Sequence, residues 1–163
     1  MFDASSNRLS RRSALLLAAA SFWVATAANA APPINTLKGG LFGGRGDTAI
    51  LGYDTVAYFT DGKPVKGQDA FVAEYQGAKW KFSSQAHLDL FKANPEKYAP
   101  QYGGYCAYGV SQDNLVSIEP DKFKILDGKL YLNYDAGVQE TWLKDPAGYI
   151  RTADGKFQSL LKK

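Results

Sequence analysis

Two stretches of alternating apolar and polar residues dominate the chain. Trp80 and Phe82 alternate with Lys79 and Lys81, and Phe71-Val72-Ala73-Glu74-Tyr75 precedes them across Gln76-Gly77. A period of two marks a half-buried strand, and a two-residue glycine turn joins antiparallel neighbours. Further on, Phe123-Lys124-Ile125-Leu126 and Leu130-Tyr131-Leu132-Asn133-Tyr134 flank Asp127-Gly128-Lys129, the clearest hairpin signal in the sequence. Each hairpin precedes a helical pattern. Ser84 opens a run to about Ala93, in which Leu88, Leu90 and Phe91 share a broad apolar face, and Asn94-Pro95 ends it. Asp135 caps a run from Ala136 to Leu143, with Val138 and Trp142 four apart on one face. Asp145-Pro146 starts a further helix.

Shorter signals complete the pattern. Asp54 is placed to cap a short turn, and Val56 to Phe59 read as a strand ended by the Asp61-Gly62 turn. Gly103-Gly104 permits a tight reversal into a strand at Tyr105-Cys106-Ala107-Tyr108. The expected class is α+β: a small single domain in which short antiparallel β-hairpins pack against a few helices.

Composition changes this picture little, except at the N-terminus. The 163 residues are 45% apolar, 21% charged and 13% aromatic, which favours one packed core over disorder. Arg8, Arg11 and Arg12, an apolar run from Ala14 to about Ala28, and the small-x-small series Ala28-Asn29-Ala30 form an export signal, with Ala31 as the mature start. Ser10-Arg11-Arg12-Ser13-Ala14-Leu15-Leu16 is similar to a twin-arginine signal. The apolar run falls short of the ~20 residues of a stable membrane span. The division is therefore a signal peptide at 1–30, a Gly/Pro-rich flexible linker at 31–46, and a folded domain at 47–163, in the periplasm or secreted. Subtracting the signal's three arginines from 19 and its one aspartate from 16 leaves 16 basic and 15 acidic residues, near +1. No basic patch of the kind that nucleic-acid binding needs is visible.

The stretch from Tyr75 to Gly109 holds the single histidine, His87, and the single cysteine, Cys106. One cysteine excludes an intramolecular disulfide. The same stretch resembles the YHS domain family, through Tyr75-Gln76-Gly77, Trp80-Lys81-Phe82-Ser83-Ser84, His87, Phe91 and Asn94-Pro95-Glu96-Lys97-Tyr98. Gly52-Tyr53-Asp54-Thr55-Val56-Ala57-Tyr58-Phe59 is similar to the opening of its longer bacterial members, so the resemblance runs from about Leu51 to Tyr134. It implies that two cysteines of metal-binding relatives correspond here to Ser83 and His87. A third cysteine is missing from Asp54-Thr55-Val56-Ala57. A four-cysteine zinc site is thus out of reach, since a structural zinc takes four nitrogen or sulfur ligands.

His87 and Cys106 are the candidate metal ligands, a thiolate-imidazole pair suited to copper or zinc, completed by Asp54, Asp89 or Tyr105. Such a site would lie between the start of the Ser84–Ala93 helix and the Tyr105–Tyr108 strand. Tyr98, Tyr102, Tyr105 and Tyr108 are candidates to line an aromatic pocket for a small ligand. We read the chain as an exported, non-catalytic binding or accessory domain that takes a transition metal such as copper. The alternative is a module for a small ligand or a periplasmic protein partner without metal. A Cys106–His87 nucleophilic pair ranks third.

Overall fold

The computed structural model describes residues 30–38 and 44–163. The segment read as an export signal therefore lies outside the described residues, apart from Ala30, and so does the glycine-rich part of the expected linker at 39–43.

Two antiparallel hairpins form separate two-stranded sheets, as the alternation predicts. The first pairs β1 (Gln68–Tyr75) with β2 (Ala78–Phe82), setting Ala73 against Trp80. Its turn residues Gln76 and Gly77 have φ of 50° and 77°, and the second hairpin's Asp127 and Gly128 have 50° and 72°. Positive φ at both central positions is what matches a two-residue turn to the right-handed twist of strands. The second hairpin joins β3 (Phe123–Leu126) to β4 (Lys129–Leu132). Each hairpin delivers the chain into a helix capped by a side chain on the backbone N–H three residues on. Ser84 caps α2 (Gln85–Ala93) and Asp135 caps α5 (Ala136–Trp142). Asp145 caps the 15-residue α6 (Pro146–Leu160) in the same way.

The core has two centres. In the first, the buried face of β2 (Ala78, Trp80, Phe82) packs on Leu88 and Phe91 of α2. Phe91 lies 5.3 Å from Trp80, 5.0 Å from Phe82 and 5.7 Å from Tyr75, ring centre to ring centre. Leu90 does not join the apolar face; it is solvent-exposed, because one helical face spaces its members by three and four, as Leu88 and Phe91 are. The second centre gathers Tyr102, Tyr105, Val110, Tyr131, Trp142, Ala153 and Leu160.

Two expected strands are helices. Residues Ala57–Thr60 form α1, because the Asp54 carboxylate accepts the N–H groups of Val56 and Ala57 and turns the backbone. Val56, Ala57 and Tyr58 are all buried, so periodicity there carries no secondary-structure signal. Residues Ala107–Ser111 form α4, and Cys106 is its cap, with Sγ accepting from Gly109 N–H at 3.3 Å. Only Cys106 retains a strand contact, a single parallel bridge to Leu132. Asn94-Pro95 ends α2 and also opens a one-turn helix, α3 (Pro95–Tyr98), with Asn94 as its cap.

The segment read as flexible linker is partly embedded. Ile34, Asn35 and Thr36 are buried. Asn35 clasps two left-handed turns. One is Ile50-Leu51-Gly52, with φ of 40°, 58° and 76°; the other is Tyr102-Gly103-Gly104, with φ of 55°, 61° and 84°. Asn35 N–H donates to Gly103 O and its side-chain amide to Gly104 O, while Asn35 O accepts from Ile50 N–H. Left-handed backbone is unfavourable for a β-branched residue such as isoleucine, and it persists here because Ile50 N–H bonds Asn35 O, Tyr53 N–H bonds Ile50 O, and the Ile50 side chain is fully buried. A side chain at Gly104 would strike Ile50 Cγ2 at 2.4 Å, so the two turns interlock through the missing Cβ.

Candidate functional site

The end of β2, the first turn of α2 and the turn leading to α1 meet around one carboxylate. Asp54 is fully buried, yet every acceptor direction is used. Its Oδ1 receives Val56 N–H at 2.9 Å and Ala57 N–H at 3.3 Å. Its Oδ2 receives Ser83 N–H at 2.8 Å, the Ser83 hydroxyl at 2.7 Å and His87 Nδ1 at 2.7 Å. An ionised carboxylate has no proton to give, so Nδ1 carries the proton of that bond. Local sequence explains the convergence. Ser83 closes β2, the Ser84 hydroxyl accepts from His87 N–H, and His87 thereby sits in the first turn of α2, above Ser83.

With Nδ1 engaged, Nε2 becomes the working atom of the ring. It lies 3.2 Å from the Thr60 hydroxyl and 4.0 Å from Asp61 Oδ1, at the end of α1. The Thr60 hydroxyl has one proton and three acceptors in reach: Asp61 Oδ1 at 2.8 Å, His87 Nε2 at 3.2 Å and Val56 O at 3.3 Å. The carboxylate contact is the shortest and carries charge, so it takes that proton and leaves the Nε2 lone pair without a committed donor. The His87 side chain is 14% exposed.

Cys106 lies in other company. It is buried, its Sγ accepts from Gly109 N–H, and its nearest side-chain partner is Asn133 Oδ1 at 3.9 Å. Burial pushes the thiol pKa up against the pull of nearby N–H groups, so the thiol keeps its proton at neutral pH. His87 and Cys106 share no hydrogen-bond partner. The ring partners of His87 are Asp54, Ser83 and Thr60, so its hydrogen bonds run toward the end of β2 and to α1 rather than to residues 105–108. Among the candidates to complete the site, Asp54 alone touches His87; Asp89 bonds Gln85, and the Tyr105 hydroxyl donates to Pro32 O.

The four tyrosines do not line one pocket. Tyr98 packs edge-on to Phe59 in the first core centre. Tyr102 donates to Asp154 at 2.9 Å, and Tyr105 is buried beside it in the second centre. Tyr108 stacks edge-on to Tyr149 and lines, with Cys106, Val116, Tyr134 and Val138, a mostly apolar pocket of about 230 Å³. Sequence reasoning missed Thr60 and the Ser83 hydroxyl as parts of the His87 site. No motif marks Thr60, whose role arises from α1 being a helix, which the sequence pattern did not show; Ser83 stands in the resemblance motif, but its bond to Asp54 depends on the fold.

The family model of the YHS domain matches residues 56–102. That segment is similar to the YHS domain. No curated protein and no solved structure gives a match to the chain. The match spans α1, the first hairpin, α2 and α3, so Thr60, Ser83 and His87 fall inside the matched segment. Asp54 stands just before it, and Cys106 lies past its end, although its side chain packs in the first core centre.

Proposed function

We propose that this chain is an exported, non-catalytic accessory domain of the YHS type that binds a transition-metal cation, copper in particular, at His87. The observation that carries the reading is the clamped imidazole: buried Asp54 holds Nδ1 and leaves Nε2 as a ligand atom. A carboxylate behind a ligating histidine fixes the ring and raises its basicity. Asp61 is the nearest carboxylate to Nε2, at 4.0 Å, and two donors with bonds of about 2 Å to one ion lie no farther apart than about 4 Å. Among the described residues no group of three His, Cys, Asp or Glu side chains is placed to hold an ion. One imidazole and one carboxylate fit an open copper(II) site finished by water, not a closed zinc site of four protein ligands. Bound copper would supply Lewis acidity or a redox centre; the protein's part is to present and orient Nε2. Cys106, buried and protonated, is outside this ligand set.

Copper(II) titration of the purified protein, followed by electron paramagnetic resonance, tests the reading. A single site with nitrogen coupling is expected, lost in His87→Ala. Asp54→Asn should weaken it roughly tenfold to a hundredfold, the usual effect of removing a carboxylate behind a ligand. Equal binding by His87→Ala overturns the assignment. Export is part of the same reading: lysine at both Arg11 and Arg12 should stop periplasmic accumulation, and unchanged accumulation would mean a general secretory route. The pocket beside Cys106 favours a second reading, a small apolar ligand held against Val116 and Val138. Copper-independent chemical shifts at Tyr108 and Val138 on adding such a ligand would select it.

A further inference from the structure

Away from His87, a cleft of about 550 Å³ opens between the embedded N-terminal segment and the first hairpin. Leu51 and Gly52 of the left-handed turn line it, and so do Lys38, Lys66 and Lys81. Lys66 is an exposed lysine whose Nζ donates to Leu51 O at 2.6 Å and lies 4.4 Å above the Tyr53 ring. Among the described residues it forms no ion pair. A carbonyl dipole and an aromatic face orient an ammonium but do not neutralise it.

Lys81 converges on the same place. A Cβ on Gly52 would lie 3.9 Å from Lys66 Nζ and 3.6 Å from Lys81 Cδ. The two side chains thus reach one point, and glycine keeps it open. Lys81 is paired with Asp69 at 2.5 Å, but that aspartate's side chain is 89% exposed, so the lysine's counter-ion sits in water. The other carboxylate of the cleft, Asp47, is taken by Lys79 at 2.7 Å. Counting both pairs, four lysines face two aspartates, and the surplus positive charge lies inside the cleft.

The strained turn adds an independent observation. Three successive left-handed residues, one of them isoleucine, aim the Leu51 carbonyl at Lys66 and clear the space over Gly52. Backbone held in sparsely populated conformations recurs where ligands are clamped.

We propose that this cleft binds a small oxyanion, the carboxylate or phosphate group of a small molecule, between Lys66 and Lys81 over Gly52. The two ammonium groups supply point charges, and the exposed Asp69 swings aside. The site is separate from His87 and is independent of the metal reading.

The test is a titration of the isotope-labelled protein with inorganic phosphate and, separately, with citrate, each against sodium chloride at matched ionic strength. Saturable amide shifts at Gly52, Gly67 and Lys81 are expected for at least one oxyanion. Lys66→Met should weaken binding roughly tenfold, the scale of one charge-assisted contact, while Lys66→Arg retains it. Lys81→Met provides a second reading if Lys66→Met does not fold. Lys124→Met, an exposed lysine of β3, should change nothing, and His87→Ala should leave anion binding intact. The phosphate and citrate arms tell the two oxyanion classes apart. Linear shifts that chloride reproduces, or equal affinity in the Lys66→Met and Lys81→Met variants, would overturn the site.

Discussion

Replacing Asp54 by asparagine leaves the shape of the side chain unchanged and converts one acceptor into a donor. Asparagine can still accept from Val56 and Ala57 through its oxygen, so α1 keeps its start. On the other side, an NH₂ group now faces Ser83 N–H, the Ser83 hydroxyl and His87 Nδ1. The hydroxyl can rotate and the imidazole can move its proton to Nε2, but the backbone N–H of Ser83 has nowhere to turn. A buried donor without a partner costs about 1–3 kcal/mol, and each lost bond to a charged group removes about 1.5–3 kcal/mol more. Against this, the variant no longer buries a charge, which returns part of the loss. A net destabilisation of about 2–4 kcal/mol follows, a fall of roughly 1–2 M in urea midpoint at a slope of about 2 kcal/mol per M. Urea unfolding measures the midpoint, and long-range nitrogen–proton spectra report the His87 tautomer, which should switch from Nδ1–H to Nε2–H. A midpoint within experimental error of the parent, with the tautomer unchanged, would refute the view that Asp54 organises this site.

Three further outcomes are expected. Trp80→Ala, at the centre of the aromatic cluster on Phe91, should cost about 3–5 kcal/mol as a large core truncation; an unaltered denaturation midpoint would mean the β2 register is wrong. Asn35→Ala strands the Gly104 carbonyl and the Leu37 N–H and should cost about 2–4 kcal/mol for two buried partners, read as a lower melting temperature; no change would make residues 34–36 a passenger. Burial raises the folded-state pKa of Tyr58, Tyr102 and Tyr105, so their stabilisation is complete below the unfolded value of about 10 and is lost as pH rises above it. Unfolding midpoints followed from neutral pH upward should hold steady and then fall beyond about pH 10; stability that stays flat to about pH 11 contradicts the burial of these hydroxyls.

Sequence alone determined the parts of this protein that depend on neighbouring residues. Alternation placed both hairpins, Gln76-Gly77 and Asp127-Gly128 set their turns, and Ser84, Asp135 and Asp145 marked helix starts, because turn and cap chemistry acts over two or three residues. The YHS resemblance likewise rested on short motifs that fold into one contiguous unit, the first hairpin with α2 and α3. Tertiary structure decided the rest. Where burial surrounds a segment, as at Val56–Tyr58, apolar residues on every side erase the period that distinguishes strand from helix. Whether Cys106 or Asp54 meets His87 depends on which distant segments fold against α2, and no spacing in the chain encodes that. The glycine- and proline-rich start illustrates the same limit. Its composition predicts flexibility, yet Asn35 is held by hydrogen bonds to two turns far away in sequence, at Ile50 and at Gly103-Gly104. Local composition sets what a segment can do without partners; the partners, and therefore the candidate site, come from long-range packing.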